Sequence, residues 1–368
     1  MNAIEAPVIQ IYGSRISYFT GKLENYFRVK GLSYQFHSIQ APQDEKRIKK
    51  NIGLYQIPAV ILADGRWMTD TTKIIQWFEA QSLENSIIPR DPLQAFLCLL
   101  IEDYADEWLW RPAMHYRWHY PEGAHHLSRH IVDEHMSGIP VPAALKRWVF
   151  RLRQRRGYTT GDGITKKNVA GVEQIYLRTL QTLQAIFEHS PFIFGDRPSL
   201  ADIGLSGPFF RHFALDPIPQ EIMRQQAPAV YEWVARLWNT RLDLCSSDWL
   251  TAVPDDLGPL LDDIGKSYLP YMNANVEAVA SGKKRFDTVV DGVDYRGARY
   301  SRYRVWCLQE LRSQFSALPA DTQAEAQKLL EKHGCWQPLW QQQDLPLLPD
   351  QEQGLPFKGS TKMVGVNE

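Results

Sequence analysis

The stretch "ISYFTGKLENYFRVKGLSYQ", Ile16 to Gln35, decides how the N-terminal part of the chain is read. It follows a short β-rich run, "VIQIYG", and passes into an alternating run, "LSYQFHSI". Leu23, Tyr26 and Phe27 fall at the i, i+3, i+4 spacing of a buried helix face, and Gly31 supplies a stop. At the strand-to-helix turn sit two hydroxyls three residues apart, Ser17 and Thr20, with Lys22 close behind. A serine there is a helix N-cap, a feature that contributes about 1 kcal/mol. It also aims a hydroxyl from the positive end of a helix, where an anion is stabilised.

The alternation continues. "DEKRIKKNIGL" is a charged helix or loop, and "PAVIL" and "RWMT" flank the turn signal "ADG". "DTTKIIQWFEAQS" then puts Ile74, Ile75 and Phe78 on one helical face behind a Thr or Asp cap. The order β-α-β-α-β-β-α predicts a small mixed sheet covered by helices. "LENSIIPRDP" reads as a proline-bearing linker, and the pattern after it is helical. "LQAFLCLLIEDYADEWLWRPAMHYRW" is a long aromatic helix or a helix pair, with Pro112 as the break. Residues 121–168 hold two short helices at most. "PSLADIGLSGPFFRHF" opens with a capping box, Ser199 with Asp202. Beyond residue 250 come a helix, a hairpin turning at Asp291-Gly292, and two more helices. The expected division is 1–83, 93–250, an extension over 251–340, and an irregular Pro- and Gln-rich tail over 341–368.

Composition narrows the function. A chain of 368 residues exceeds one core of roughly 250. A net charge of −1 offers no global attraction to nucleic acid or an anionic membrane. No apolar run approaches the ~18 residues of a membrane span, and no signal peptide is expected at the N-terminus. Four scattered cysteines, Cys98, Cys245, Cys307 and Cys335, suit a reducing cytoplasm better than a disulfide framework or a zinc site. His115 and His119 are spaced as two helical metal ligands would be, yet no H-E-x-x-H or similar motif is present, so no metal is expected. The run "KRWVFRLRQRR", Lys146 to Arg156, reads as a solvated basic face with Trp148, Val149 and Leu152 packed behind it.

Three landmarks carry a resemblance. "SYFTGKLENYFRVKGLSYQ" resembles the S/C-P-F-S/C-x-K/R turn and first helix of the cytosolic glutathione transferases. "QIPAVILADGRWMTDTTKIIQWFE" is similar to their V-P-x-L-x-D-G-x-x-L-x-E/D-S block. "FIFGDRPSLADIGLSGPFF" is similar to the G-D-x-x-S/T-x-A-D box of their helical half. The wording of the first helix also resembles the metaxin-like branch. Residues beyond about 250 match nothing in the ordinary pattern.

The resemblance implies a thioredoxin-like α/β domain followed by an all-α domain. It implies glutathione as cosubstrate, a hydrophobic or aromatic electrophile, a cytoplasmic homodimer, and no nucleic-acid or membrane partner. A glutathione thiol has a pKa of about 8.5–9, and lowering it by two units takes roughly 2.7 kcal/mol. Ser17 is the first choice for that activation, with Thr20 and Tyr18 behind it. Ile57 and a cis Pro58 would hold the cysteinyl backbone, Asp70 and Thr71 the γ-glutamyl end, and Lys22 or Arg66 the glycine carboxylate. Tyr104, Trp108, His115 and Trp118 would form the electrophile pocket. The alternatives are a non-catalytic, metaxin-like interaction module and a glutathione-dependent lyase or isomerase.

Overall fold

The computed structural model describes residues 8–81, 85–245, 249–342 and Leu345; most of the expected tail lies outside them. The N-terminal part follows the expected order. It runs β1 (Ile9–Gly13), α1 (Tyr18–Val29), β2 (Tyr34–Ser38), α2 (Gln43–Ile52), β3 (Ala59–Ile61), β4 (Trp67–Thr69) and α3 (Thr71–Glu79). The sheet order is β2-β1-β3-β4, with β1 parallel to β2 and the other pairs antiparallel. Leu23, Tyr26 and Phe27 are fully buried, as their spacing requires. Gly31, at φ 67°, ends α1: its N–H reaches Arg28 O and the Leu32 N–H reaches Phe27 O, which satisfies the last carbonyls.

A helical domain follows, with α4 (Pro92–Glu107), α5 (Trp110–His119), α6 (Pro121–His135), α7 (Ala143–Gln154), α8 (Val169–Phe187), α9 (Leu200–Pro208), α10 (Pro217–Gln226) and α11 (Pro228–Asn239). The aromatic run is a helix pair, but its break falls at Trp108–Leu109. Pro112 lies in the first turn of α5, where its missing N–H costs nothing. Residues 121–168 carry more helix than expected: α6 has 15 residues and α7 has 12, continued by a wider turn to Thr159. The capping box is present. Asp202 accepts from the Ser199 N–H at 2.9 Å and from the Ile193 N–H at 3.1 Å.

The extension comprises α12 (Gly258–Asp263), α13 (Leu269–Ala280), a hairpin of β5 (Arg285–Val290) and β6 (Val293–Arg299), then α14 (Arg302–Ser316), α15 (Ala320–Lys332) and α16 (Trp336–Trp340). The hairpin turns at Asp291 and Gly292, both at positive φ. The extension shares one continuous core with the helical domain, and Phe315 of α14 meets Phe96 of α4 edge to face at 5.6 Å. Arg304 of α14 pairs with Glu107 at 3.0 Å, and Arg178 of α8 pairs with Asp263 and Asp291 of the extension. It is therefore built into the fold and covers α4. Among the described residues no helix is long and apolar enough to cross a membrane.

Candidate active site

The hydroxyls at the start of α1 diverge in role. Ser17 is the N-cap, accepting from the Thr20 N–H at 3.4 Å, and it opens into a cavity of about 500 Å3. Thr20 is fully buried beneath the β1–α1 loop, 3.5 Å from the Ser14 N–H and wedged against Gly13. Tyr18 donates its hydroxyl to the Ala105 carbonyl at 2.6 Å, and burial pushes its pKa well up. Of the three candidates, Ser17 alone has both the helix terminus and the free approach.

Opposite Ser17 the Ile57–Pro58 peptide is cis, and Ile57 lines the cavity. Among the described residues neither the Ile57 N–H nor its carbonyl has a hydrogen-bond partner, so both are available to an extended ligand backbone. Asp70 caps α3 at φ 73°, accepting from the Thr72 and Lys73 N–H groups at 3.1 and 3.4 Å. A non-glycine residue at that angle is strained, a condition that clusters at functional sites. Burial pushes the Asp70 carboxyl up, while the Tyr303 hydroxyl and the Lys22 charge pull against it.

Asp70, Thr71, Ile57 and Pro58 line a second, smaller pocket with about 10 Å3 of free space. Its far wall is Asp106, Glu107 and, from the extension, Tyr303. The subsite that the resemblance assigns to a γ-glutamyl group is thus narrow, walled on one side by Tyr303 and edged with carboxylates. Residues beyond 250 gave no sequence signal for this, because no helical periodicity says which distant pocket a side chain enters.

Lys22 does not reach either pocket surface. It is fully buried, with its ammonium 2.5 Å from Glu102 and 2.5 Å from Asp106. Burial alone would lower its pKa, but the two carboxylates outweigh that and raise it, so Lys22 stays cationic. Burial pushes Asp106 well up, which keeps one cation against two acids near neutrality. Arg66 pairs with Asp64 at 2.6 Å on the surface.

The proposed electrophile wall needs revision. Trp118 lines the cavity, but Tyr104, Trp108 and His115 face away. Tyr104 donates to Asp263 at 2.8 Å, Trp108 packs on Tyr271 and Tyr295, and His115 contacts Glu173 at 2.9 Å. The aromatic and apolar wall is instead Trp110, Met114, Trp118, Phe150 and Tyr158. Trp110, Met114 and Trp118 recur every fourth residue on α5, and that spacing was a usable signal.

Polar groups that the sequence reading left out of the site also line the cavity, among them Ser14, Arg117 and His135. Arg117 donates to the Ile16 carbonyl at 2.6 Å and to Asp216 at 2.9 Å, pinning the loop that carries Ser17. His135 donates from Nδ1 to the Ile39 carbonyl at 2.6 Å, which leaves Nε2 2.8 Å from the Ser14 hydroxyl. Among the described residues no group of three or more His, Cys, Asp or Glu side chains is placed to hold a metal ion.

One consequence is a pH dependence. Burial raises Asp103 to about 8, and the Tyr268 hydroxyl donates to it across the extension interface. A folded-state pKa above the unfolded value of about 3.9 means the native state binds the extra proton, so stability falls as pH rises toward 8. The unfolding free energy, and with it the melting temperature, is expected to fall between pH 5 and pH 8, with a slope of up to about 1.4 kcal/mol per pH unit from this group. Asp103→Asn should make that slope shallower; an unchanged slope would mean that Asp103 is already ionised at pH 6.

A thioredoxin-like domain joined to an all-helical domain, with a capped helix terminus opening on the cleft between them, defines the class of protein. Residues 11–86 match the family profile described as "Glutathione S-transferase, N-terminal domain", and residues 166–236 the one described as "Glutathione S-transferase, C-terminal domain". These two segments are thus similar to the two domains of the glutathione S-transferase family. No curated protein matches it. Similar solved structures include a glutathione S-transferase from Rhodospirillum rubrum F11, 16% identical, covering 62% of this chain and 87% of that one, with a TM-score of 0.41. A glutathione S-transferase from Methylobacterium radiotolerans, in complex with glutathione sulfonate, is 16% identical over 67% of this chain and 98% of that one, with a TM-score of 0.40. A beta-etherase from Sphingobium sp. strain SYK-6 is 19% identical over 62% and 94%, with a TM-score of 0.42.

Proposed function

We propose that this chain is a glutathione-dependent enzyme that activates the thiol at Ser17 and directs it at a hydrophobic electrophile in the aromatic cavity. The observation that carries this reading is the Ser17 hydroxyl, which caps α1 and opens into the cavity opposite the unpaired backbone of Ile57. The Ile57 N–H and C=O would pair with the cysteinyl residue of glutathione. That places its sulfur between Ser17 and the wall of Trp110, Met114 and Trp118. A hydroxyl hydrogen bond and the α1 dipole both favour the thiolate over the thiol. Arg117 keeps the loop in place through Ile16, and the apolar wall excludes water from the attacking sulfur.

The γ-glutamyl end belongs in the Asp70–Thr71 pocket, where Tyr303 sits. Productive binding therefore requires Tyr303 to swing out, and the closed form lowers the apparent affinity by the fraction of time it is open. Tyr303→Ala is expected to tighten glutathione binding about tenfold, worth roughly 1.4 kcal/mol. Calorimetric titration of both proteins measures it. The same titration followed by thiolate absorbance of the bound ligand against pH tests the main reading, with a pKa below that of free glutathione as the expected result. If neither protein binds glutathione at millimolar concentration, the reading is wrong.

The narrow, acid-edged subsite favours a second reading, a module that keeps the fold without using glutathione. A Tyr303→Ala variant that still fails to bind would favour it over the enzyme.

A further inference from the structure

Helix α7 is inside out relative to the expectation from its sequence. Trp148, Val149 and Leu152 do not pack behind a basic face; they point outward, 56%, 49% and 36% exposed. Leu145 at 48% and Val141 at 39%, just before the helix, extend the row. The positions 145, 148, 149 and 152 form one continuous stripe at helical spacing, with Val141 just ahead of it in the chain. The side turned to the protein is the polar one. Lys146 is buried and donates to the Met136 and Ile139 carbonyls at 2.7 and 3.1 Å, Arg147 pairs with Asp133 at 2.8 Å, and Arg151 donates to Ser128 at 3.0 Å.

Arg153, Arg155 and Arg156 are exposed around the C-terminal end of the stripe. The segment from residue 137 to residue 156 holds six Lys and Arg residues and no Asp or Glu. The stripe also adjoins the mouth of the aromatic cavity. Among the residues lining that cavity, Pro42, Tyr55 and Arg153 are themselves exposed, and Phe150, Arg153 and Gln154 of α7 form part of its wall.

We propose that α7 docks this protein on an anionic membrane surface. An apolar stripe bearing a tryptophan, flanked by arginines and free of acids, suits the boundary between lipid headgroups and acyl chains. The arginines reach the phosphates while the apolar side chains enter the boundary, as long cationic side chains do at such interfaces. A second copy fits less well, because the same segment offers no carboxylate to those arginines. Docking in this pose turns the cavity mouth toward the bilayer, so a lipid-dissolved apolar molecule reaches the cavity without crossing water. The docking stands without the thiol chemistry; only this route of substrate entry rests on the proposed function.

Co-sedimentation of the full chain with vesicles tests it, comparing phosphatidylcholine alone with phosphatidylcholine containing phosphatidylglycerol. Binding to the anionic vesicles, weakened by added salt, is the expected result. The Trp148→Ser, Leu152→Ser double variant should lower the partition coefficient about tenfold or more with an unchanged circular-dichroism spectrum. Arg153→Gln with Arg156→Gln should reduce binding to the anionic vesicles only. Absence of binding to either vesicle overturns the proposal, as does equal binding by the serine variant. A wild-type dimer that becomes a monomer in the serine variant, without lipid binding, would instead assign the stripe to a second copy. Glutathione titration of the same serine variant reads the other proposal independently, since neither residue lines the cavity.

Discussion

Lys22→Met is expected to destabilise the protein by about 3–5 kcal/mol, the range for removing one partner of a buried ion pair. The ammonium is fully buried and sits 2.5 Å from both Glu102 and Asp106, which would be left facing each other without a counter-charge. Thr72 also donates to Glu102, at 2.7 Å, so the loss spreads to the start of α3. Urea unfolding followed by circular dichroism measures the effect. The deficit should grow as pH rises, because burial already favours the protonated Asp106 and each step up in pH works against that proton with no lysine to compensate. Adding Glu102→Gln and Asp106→Asn to Lys22→Met should recover part of the loss, since neutral amides remove the unpaired charge. A loss of under about 1 kcal/mol for the single variant would mean that water or relaxation already compensates the pair. Such a variant would also disturb the small pocket that Asp106 lines together with Ile57 and Pro58.

Ser17→Ala is expected to lower kcat/KM for thiol transfer by about 10²–10³, the cost of losing one pre-aimed donor to a developing anion. The stability cost should be only about 1 kcal/mol, the worth of an N-cap. That disparity separates the two roles of the hydroxyl. A cap alone predicts a lower melting temperature with unchanged turnover, whereas a thiol activator predicts a raised pKa for bound glutathione. Ser17→Thr keeps a hydroxyl on the cap and should recover much of the activity. Unchanged turnover in Ser17→Ala would sink the assignment. Tyr18→Phe is a useful companion, because its hydroxyl is engaged with Ala105 and its removal should leave the thiol pKa alone.

Several features were legible because they are local. The capping box of Ser199 and Asp202 lies within four residues, and the Asp291-Gly292 turn within two, so their residue types carry the geometry directly. The helix of "GKLENYFRVKG" follows from spacing alone, and Leu23, Tyr26 and Phe27 are buried as that spacing requires. The position of Ser17 is local in the same way, since a strand end followed by a helix start must present the cap.

The misreadings share a different cause. Tyr104, Trp108 and His115 read as cavity lining because they are aromatic and lie along the α4–α5 stretch, but they meet the extension and α8 instead. The resemblance assigns Lys22 to the glycine carboxylate, yet its partners are carboxylates 80 and 84 residues away. Trp148, Val149 and Leu152 read as inward because apolar faces usually are, whereas the turn after α6 offers the Met136 and Ile139 carbonyls, and α6 offers Asp133, to the opposite side of that helix.

By itself, then, the sequence determined the strand and helix order of the N-terminal domain, the caps, the hairpin and the class of chemistry that a hydroxyl at the α1 terminus can support. Only the tertiary structure decided which hydroxyl faces the cleft, that Lys22 is a buried strut, that Tyr303 of the extension closes the Asp70 pocket, and that α7 turns its apolar side outward. The physical reason is that backbone hydrogen bonding and side-chain periodicity act over a few residues and establish which side chains share a face. What that face meets depends on packing between segments far apart in the chain, and a periodic pattern carries no information about its partner.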